Sequence, residues 1–247
     1  MAISSLFALT MAFDPRLYVA WFPPVGFTWH WFDVFVHDRS FMEGLRTSLL
    51  VCTIVTGTSL AIGIPCAFAL TRHTFRGKEL LNTLVLSPIV VPGIVTGVAL
   101  VIVFYSYWHL YAALPALIIG HTIITIPYVV RTVSASLVGF DPSLEEAARN
   151  LGANELQTLA KVTMPIIKPG IIAGAIFSFS TSLADTSVAV FMTDPNTFTF
   201  PVAMMGYMRY NFDNTIAAAS LFLVLITTVV VLLTENRVGL DKFIGLW

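Results

Sequence analysis

A single carboxylate, Asp185, lies within the apolar run formed by residues 169–192. An ionisable group inside a membrane-spanning helix costs several kcal/mol unless it is paired or hydrated, which makes it a candidate functional residue. Helical geometry places it about 24 Å from the start of the run. Its neighbours on related helix faces are Ser178, Ser182 and Thr186. A carboxylate lining a solute pathway would suit a cationic substrate, whereas one paired with another helix would be structural, and the sequence leaves both open.

The most polar stretch, residues 145–165, predicts two short helices joined by a glycine. Asp141 is expected to cap the first helix. Gly152 is expected to end it in the left-handed conformation. Asn154, with a glutamine three residues later, predicts a capping box for the second helix, and Pro165 is expected to end that helix. The result is a helix–glycine–helix elbow.

Small side chains on the first helix of this elbow indicate a docking surface. Ala147 and Ala148 let a partner approach the backbone closely, and the flanking Glu145, Glu146 and Arg149 can set its register. A loop that is only solvated needs neither two capped helices nor so regular a structure. The pattern therefore favours a docking element over a solvated loop.

Catalytic and metal-binding sets are not indicated anywhere in the sequence. The five histidines do not cluster, and His121, within an apolar run, is interpreted as a packed, hydrogen-bonded side chain. No metal site and no Ser–His–Asp or Cys–His arrangement is expected. The phosphate-binding sequence G-x-x-x-x-G-K-[ST] does not occur, so ATP hydrolysis would need another chain.

The elements that position these residues are predicted to be membrane-spanning helices. Of the 247 residues, 57% are hydrophobic and only 11% are charged. A helix needs about 20 apolar residues to cross a bilayer. Suitable runs predict five spans, with a turn near residues 107–113 that divides the longest run into two; the runs are residues 47–70, 80–130, 169–192 and 215–234.

The predicted organisation has three parts. Residues 1–42 form a short apolar N-terminus, interpreted as the remnant of a sixth span or an interfacial segment, followed by an outer interfacial segment rich in aromatic residues. Residues 43–238 form the membrane domain, including a polar loop at 139–168, and residues 239–247 form a tail. Pro88 and Pro92 predict either a kink or a break that lines a pathway.

The distribution of basic residues predicts the orientation. Nine of the 13 Lys and Arg residues fall on the side of the polar loop and the C-terminus. Because loops rich in Lys and Arg stay in the cytoplasm, the elbow and the tail are expected to be cytoplasmic.

The elbow carries a specific motif. Glu146-Ala147-Ala148 is followed after three residues by Gly152, and after nine more by hydrophobic-x-hydrophobic-Pro at residues 162–165. This pattern resembles the EAA loop of permease subunits of type I binding-protein-dependent ABC importers. The resemblance covers roughly residues 43–234, including R-x-x-F-R-G-K at 72–78 and F-x-x-P-V-x-x-x-x-Y at 198–207.

The resemblance implies an all-α permease fold in the bacterial inner membrane, with five clear spans and a short or truncated N-terminal one. It implies a separate ABC ATPase dimer that binds ATP and Mg, a second permease subunit (a copy or a paralogue) and an extracytoplasmic solute-binding protein. Nucleic acid is not an expected partner. The residues that match the ATPase-coupling loop are Glu145, Glu146, Ala147, Ala148, Arg149 and Gly152.

Within that family the chain looks most like the spermidine/putrescine permeases, which makes a polyamine or similar cation the expected solute. Those permeases often carry two adjacent acids where this chain has Ala184 and Asp185. An amino acid, an oxyanion or an organic anion therefore stays open as the solute. A secondary transporter is a further alternative, but the sequence has only one acid within a span and no clear repeat.

Overall fold

The computed structural model describes residues 9–17 and 23–238, with side chains up to residue 232. The interpretations of residues 1–8 and of the tail at residues 239–247 lie outside the described residues. Within them the chain is helical, and residues Asp194 and Thr197 form an isolated β-bridge.

Ten α-helices begin and end within the described residues. They are α1 (His30–His37), α2 (Arg39–Arg72), α3 (Lys78–Val90), α4 (Gly93–Ile102), α5 (Ala113–Val138), α6 (Ser143–Asn150), α7 (Glu155–Thr158), α8 (Met164–Ala184), α9 (Phe200–Met208) and α10 (Thr215–Val238). Wide π-helical turns prolong α4 over Val103–Tyr107 and join α7 to α8 over Leu159–Thr163.

The predicted number of spans is confirmed among the described residues. Four helical units are long and apolar enough to cross a membrane, namely α2, α5, the continuous unit Glu155–Ala184 and α10. The bent pair α3–α4 adds a fifth when its halves count as one span. The turn predicted near residues 107–113 lies between α4 and α5.

Helices α2, α5 and α8 form the core of the bundle, and glycines let them approach closely. A Cβ at Gly63 would lie 2.7 Å from Val129 Cγ1, and a Cβ at Gly170 would lie 2.7 Å from the Thr132 carbonyl oxygen. Real Cβ contacts are never that short, so these positions require glycine. The G-x-x-x-G spacing of Gly170 and Gly174 thus brings α8 against α5.

Hydroxyl pairs connect α2 to α5 inside this core. Thr58 Oγ1 lies 2.9 Å from Thr122 Oγ1, and Ser59 Oγ lies 2.7 Å from Thr125 Oγ1. Between helices in an apolar environment such bonds contribute on average about 0.6 kcal/mol each. They therefore fix the register of the two helices more than they stabilise the bundle.

The second predicted span is broken at Pro92, while Pro88 lies inside helix α3. Helix α3 ends at Val90, Pro92 precedes α4, and the two helices are bent by 114°. A Cβ at Gly93 would lie 2.8 Å from Ser187 Cβ. Helix α4 therefore packs closely on the turn that follows α8, and the break alternative describes this region better than the kink.

Two predicted helix ends are wrong. Pro165 does not end the second elbow helix, because the Met164 N–H bonds to the Leu159 carbonyl and this wide turn carries the helix past the proline. Helix α8 instead ends at Ala184, before the end of the apolar run. Asp185 adopts an extended conformation (φ −71°, ψ 129°) and so lies at the end of the span rather than within it.

Candidate functional sites at the two ends of the bundle

Helix α6 begins at Ser143, so that Pro142 rather than the predicted Asp141 is the residue before it. The Asp141 carboxylate accepts the Ser143 N–H at 2.9 Å, and this backbone hydrogen bond lowers the pKa of Asp141. Helix α6 ends at Asn150, and Gly152 adopts the left-handed conformation with φ +90°. Because most side chains disfavour that conformation, glycine sets the angle between the two arms of the elbow.

The second arm carries the predicted capping box. Asn154 Oδ1 accepts the Gln157 N–H at 2.9 Å, and Gln157 Oε1 accepts the Asn154 N–H at 3.0 Å. Helix α7 then continues without interruption into α8. The elbow is thus rigidly joined at one end to a membrane-spanning helix.

The outer surface of the elbow is available to a partner. Glu146 and Ala147 are exposed, and Ala148 is half-buried. Leu151 and Leu156 are 89% and 74% exposed, although they are large apolar residues. These two leucines were not among the residues predicted from the sequence; the available signal was their position on either side of Gly152 in an otherwise polar stretch.

Glu145 faces the opposite way, into the protein. Its carboxylate accepts hydrogen bonds from Arg72 Nη1 at 2.7 and 2.9 Å and from the Thr163 hydroxyl, and its side chain is only 12% exposed. Burial alone would raise the pKa of Glu145, but the hydrogen bonds from Thr163 and Arg72 outweigh it and lower the pKa. Arg149 lies 3.9 Å from the same carboxylate. Glu145 is therefore occupied within its own chain, unlike Glu146.

The Asp185 carboxylate, near the other end of α8, caps a turn. Its Oδ2 accepts the N–H groups of Val188 and Ala189, both at 3.0 Å. The same oxygen lies 3.6 Å from His121 Nε2, and the Asp185 side chain is 13% exposed. This geometry favours the structural interpretation of Asp185, while a small part of the carboxylate stays accessible.

His121 lies between this carboxylate and Ser182, and its Nε2 has no hydrogen bond among the described residues. Its Nδ1 lies 2.9 Å from Ser182 Oγ, and the ring is fully buried. The interpretation of His121 as packed and hydrogen-bonded is confirmed. Ser182 and Asp185 are thus brought together through His121, whereas Ser178 is buried without a hydrogen bond in the described part of the chain, and Thr186 is half-buried.

Metal binding has no candidate site in the part of the chain that the structure describes. No three His, Cys, Asp or Glu side chains lie together there in a way that could hold an ion. The two sites are thus a surface for a partner at one end of α8 and a buried polar cluster at the other.

Comparison with known proteins gives several relatives with stated functions. The chain is 28% identical over 226 residues to the Escherichia coli spermidine/putrescine transport system permease protein PotC, covering 89% of this chain and 83% of the relative. It is 28% identical over 200 residues to the E. coli putrescine permease PotI, covering 78% and 70%. It is 31% identical over 150 residues to the molybdate/tungstate permease WtpB of Pyrococcus abyssi, covering 61% and 60%.

Solved structures show the same fold. A chain of the inward-facing MetNI methionine ABC transporter superposes with a TM-score of 0.68 at 19% identity, covering 81% of this chain and 94% of that one. A bacterial ABC transporter that imports the acidic polysaccharide alginate gives 0.67 at 18% identity, covering 95% and 88%. At these identities the likeness establishes the architecture alone, which is the type I importer permease fold.

The family follows from a match over most of the chain. Residues 59–236 match the family described as "Binding-protein-dependent transport system inner membrane component". Permeases of this kind are non-catalytic, and a separate ATPase hydrolyses ATP. The chain belongs to this family, and it is an inner-membrane permease subunit of an ABC importer.

Proposed function

We propose that this permease forms half of a translocation pathway and receives its ATP-driven motion through the elbow at residues 139–168. The observation that carries the proposal is the opposite orientation of two adjacent glutamates. The Glu145 carboxylate accepts hydrogen bonds from Arg72 and Thr163, which belong to two membrane-spanning units, while Glu146 is exposed beside Ala147. A helix that is hydrogen-bonded to its own chain on one face and exposed on the other is suited to transmit the motion of a partner docked on the exposed face.

The partners in this proposal are an ATPase dimer that binds ATP and Mg, a second permease subunit and a solute-binding protein. The family description itself names dependence on a binding protein. One structure of similar fold is a bacterial alginate ABC transporter in complex with an alginate pentasaccharide-bound periplasmic protein. The proposed ATPase-facing residues are Glu146, Ala147, Ala148, Arg149 and Gly152, joined by Leu151 and Leu156.

Replacing Glu146 by lysine tests the coupling role. The reversed charge disturbs the register of the docked ATPase without entering the bundle, because Glu146 is exposed. We expect the ATPase subunit to stop co-purifying with Glu146→Lys and uptake to fall to background, while the amount of permease in the membrane stays constant. Glu79→Lys, an exposed charge reversal in α3, is the matched control. Normal co-purification and uptake with Glu146→Lys would exclude the proposed docking surface.

For the solute we propose a polyamine or a similar small cation. Two of the relatives are permeases for spermidine or putrescine, and Asp185 keeps a partly accessible carboxylate. An oxyanion is the second candidate. The molybdate/tungstate relative supports it. The two backbone N–H groups on the Asp185 carboxylate also support it, because a carboxylate that accepts such bonds repels an anion less than a free one does.

A thermal-shift screen on the cognate solute-binding protein separates these candidates. The panel contains putrescine, spermidine, molybdate, amino acids and sugars. A ligand present at 100 times its dissociation constant stabilises its protein by about 2.7 kcal/mol. We expect spermidine or putrescine to produce the shift. A shift with molybdate alone would reject the polyamine proposal and leave the importer assignment intact.

A further inference from the structure

The Glu145 carboxylate is the point at which the elbow meets the membrane-spanning helices. It accepts hydrogen bonds from Arg72, the last residue of α2, and from Thr163, in the π-helical turn that leads into α8. Arg72 lies 73 residues away in the sequence. Among the described residues, Glu145 is the only side chain of α6 with hydrogen bonds to a membrane-spanning unit.

Two aromatic rings hold the Arg72 guanidinium in place. Its central carbon lies 5.3 Å from the centre of the Phe68 ring and 5.2 Å from the centre of the Phe140 ring. Phe68 belongs to α2 itself, whereas Phe140 is a buried residue two positions beyond the end of α5. Cation–π contacts of this length orient a guanidinium and restrict its rotamers. Arg72 is therefore a fixed group that joins three parts of the bundle.

An arginine suits this position because of its shape. The planar guanidinium lies over both rings and still presents N–H groups to a carboxylate, whereas a lysine ammonium is a point charge on a flexible stem. Charged hydrogen bonds of this kind are shorter and stronger than neutral ones. Arg72 and Glu145 therefore form a stiffer link than an exposed ion pair would.

We propose that Arg72 is a positioning residue that links the coupling helix α6 to α2, so that a displacement of α6 by the ATPase moves α2 with it. This inference rests on the proposed function of the elbow. The covalent connection through α7 already carries motion from the elbow to α8. The Arg72–Glu145 contact supplies a second route, which leads from α6 directly to α2.

Hydrogen–deuterium exchange on the assembled transporter tests this link without knowledge of the solute. The permease, its partner permease and the ATPase are purified together in nanodiscs and trapped with MgATP and vanadate. Exchange is measured in peptides that cover α6 and in peptides that cover residues 66–78. In the wild type we expect trapping to change exchange in both regions.

Arg72→Ala is expected to keep the ATPase bound and to retain the change at α6, but to lose the change at residues 66–78. Coupling between sites typically amounts to about 5- to 150-fold in an equilibrium constant, so the response of α2 should fall at least about fivefold. Arg72→Lys, which keeps the charge but not the stacking plane, should restore part of the response. The control is Arg76→Ala, which removes an exposed arginine of the loop that follows α2 and should behave as the wild type does.

The outcomes distinguish the link from the docking function. A full α2 response in Arg72→Ala, or a wild type in which only α6 responds, would overturn the proposed link alone. A wild type in which α6 itself does not respond would overturn the docking function and the link together. If Arg72→Ala does not assemble, Glu145→Met removes the oxygens that accept from Arg72 while nearly keeping the side-chain size, and a full α2 response in that variant contradicts the proposal equally.

Discussion

The elbow and the group formed by His121, Ser182 and Asp185, called the outer cluster here, lie at opposite ends of the unit that runs from Glu155 to Ala184. Their charged and polar side chains differ in exposure. At the elbow, charged and apolar side chains are exposed around Gly152, and Glu145 holds helix α6 to the bundle through its hydrogen bonds. In the outer cluster, His121 is fully buried and Asp185 is occupied by backbone N–H groups. The first arrangement suits a surface that a partner moves, and the second suits a fixed part of the wall. Substitutions at the elbow should therefore impair coupling, and substitutions in the cluster should impair stability.

Among the further substitutions that compare the two regions, Gly152→Pro should have the largest effect. Proline fixes φ near −65°, which is incompatible with the observed +90°, and it removes the N–H that bonds to the Arg149 carbonyl at 2.9 Å. Because the proline ring cannot reach this φ, the backbone between the two arms of the elbow has to rearrange. A barrier higher by about 1.4 kcal/mol slows a step tenfold. We expect uptake to fall by more than about tenfold.

The loss should arise without unfolding of the bundle, because an added Cβ at Gly152 has no atom within 4 Å. Gly77→Pro provides the matched control, since Gly77 has φ +87° and equally open surroundings in the other loop. Uptake and thermal unfolding are measured for both variants. Equal loss of uptake in the two, or a destabilised bundle in Gly152→Pro, would remove the distinction between the two regions.

His121→Leu should have an intermediate effect of a different kind. Leucine leaves the buried Ser182 hydroxyl without its ring partner at 2.9 Å and removes the ring beside Asp185. An unsatisfied buried polar group costs about 1–3 kcal/mol. We expect a lower free energy of unfolding in detergent, with unchanged ATPase binding and unchanged uptake per folded molecule.

Thr58→Val is the comparison for His121→Leu, because it removes one interhelical hydrogen bond, worth on average about 0.6 kcal/mol. Thermal unfolding of the purified permease ranks the two variants. If His121→Leu abolishes uptake while stability is unchanged, the cluster belongs to the pathway and the structural interpretation of Asp185 is wrong.

The smallest expected effect is the response of the elbow to protonation of Glu145. The folded-state pKa of Glu145 is lowered by hydrogen bonds from Thr163 and Arg72 that outweigh burial, so its contribution is present above the unfolded-state pKa and is lost as the pH falls through the lowered value. The hydrogen bonds from Arg72 and Thr163 to the Glu145 carboxylate should therefore persist below about pH 4.3, where an ordinary glutamate becomes protonated.

The mobility of a nitroxide at the exposed Asn150, followed during acidification, measures this transition. Helix α6 should stay immobile until the pH is below the usual glutamate range, and Glu145→Met should give a mobile label at every pH. A wild-type transition at the ordinary glutamate pKa would mean that Arg72 and Thr163 do not hold the carboxylate.

The sequence predicted the elbow well because its determinants are local. The left-handed Gly152 and the Asn154 capping box depend on neighbours within four residues. The spans were predictable for a similar reason, since the length of an apolar run decides whether a helix can cross a membrane. The π-helical turn before Pro165 was not predictable, because it depends on how the helix packs.

The outer cluster was predicted less well because its contacts are distant in sequence. His121 and Ser182 are 61 residues apart, as Arg72 and Glu145 are 73 apart at the other end. The apolar composition of residues 169–192 also concealed the helix end at Ala184. Aspartate favours helix ends and turns because its carboxylate binds nearby backbone N–H groups, and this tendency was the missed signal.

The most direct test of the central claim is a site-specific photo-crosslink on the assembled transporter. A benzophenone side chain replaces Leu151 on the elbow or, as the control, Tyr210 on the outer side; these residues are 89% and 87% exposed. We predict that illumination links the Leu151 variant to the ATPase subunit and that the Tyr210 variant gives no such product. No ATPase adduct at Leu151, or equal adducts at both positions, would contradict the assignment of the elbow as the ATPase-coupling surface.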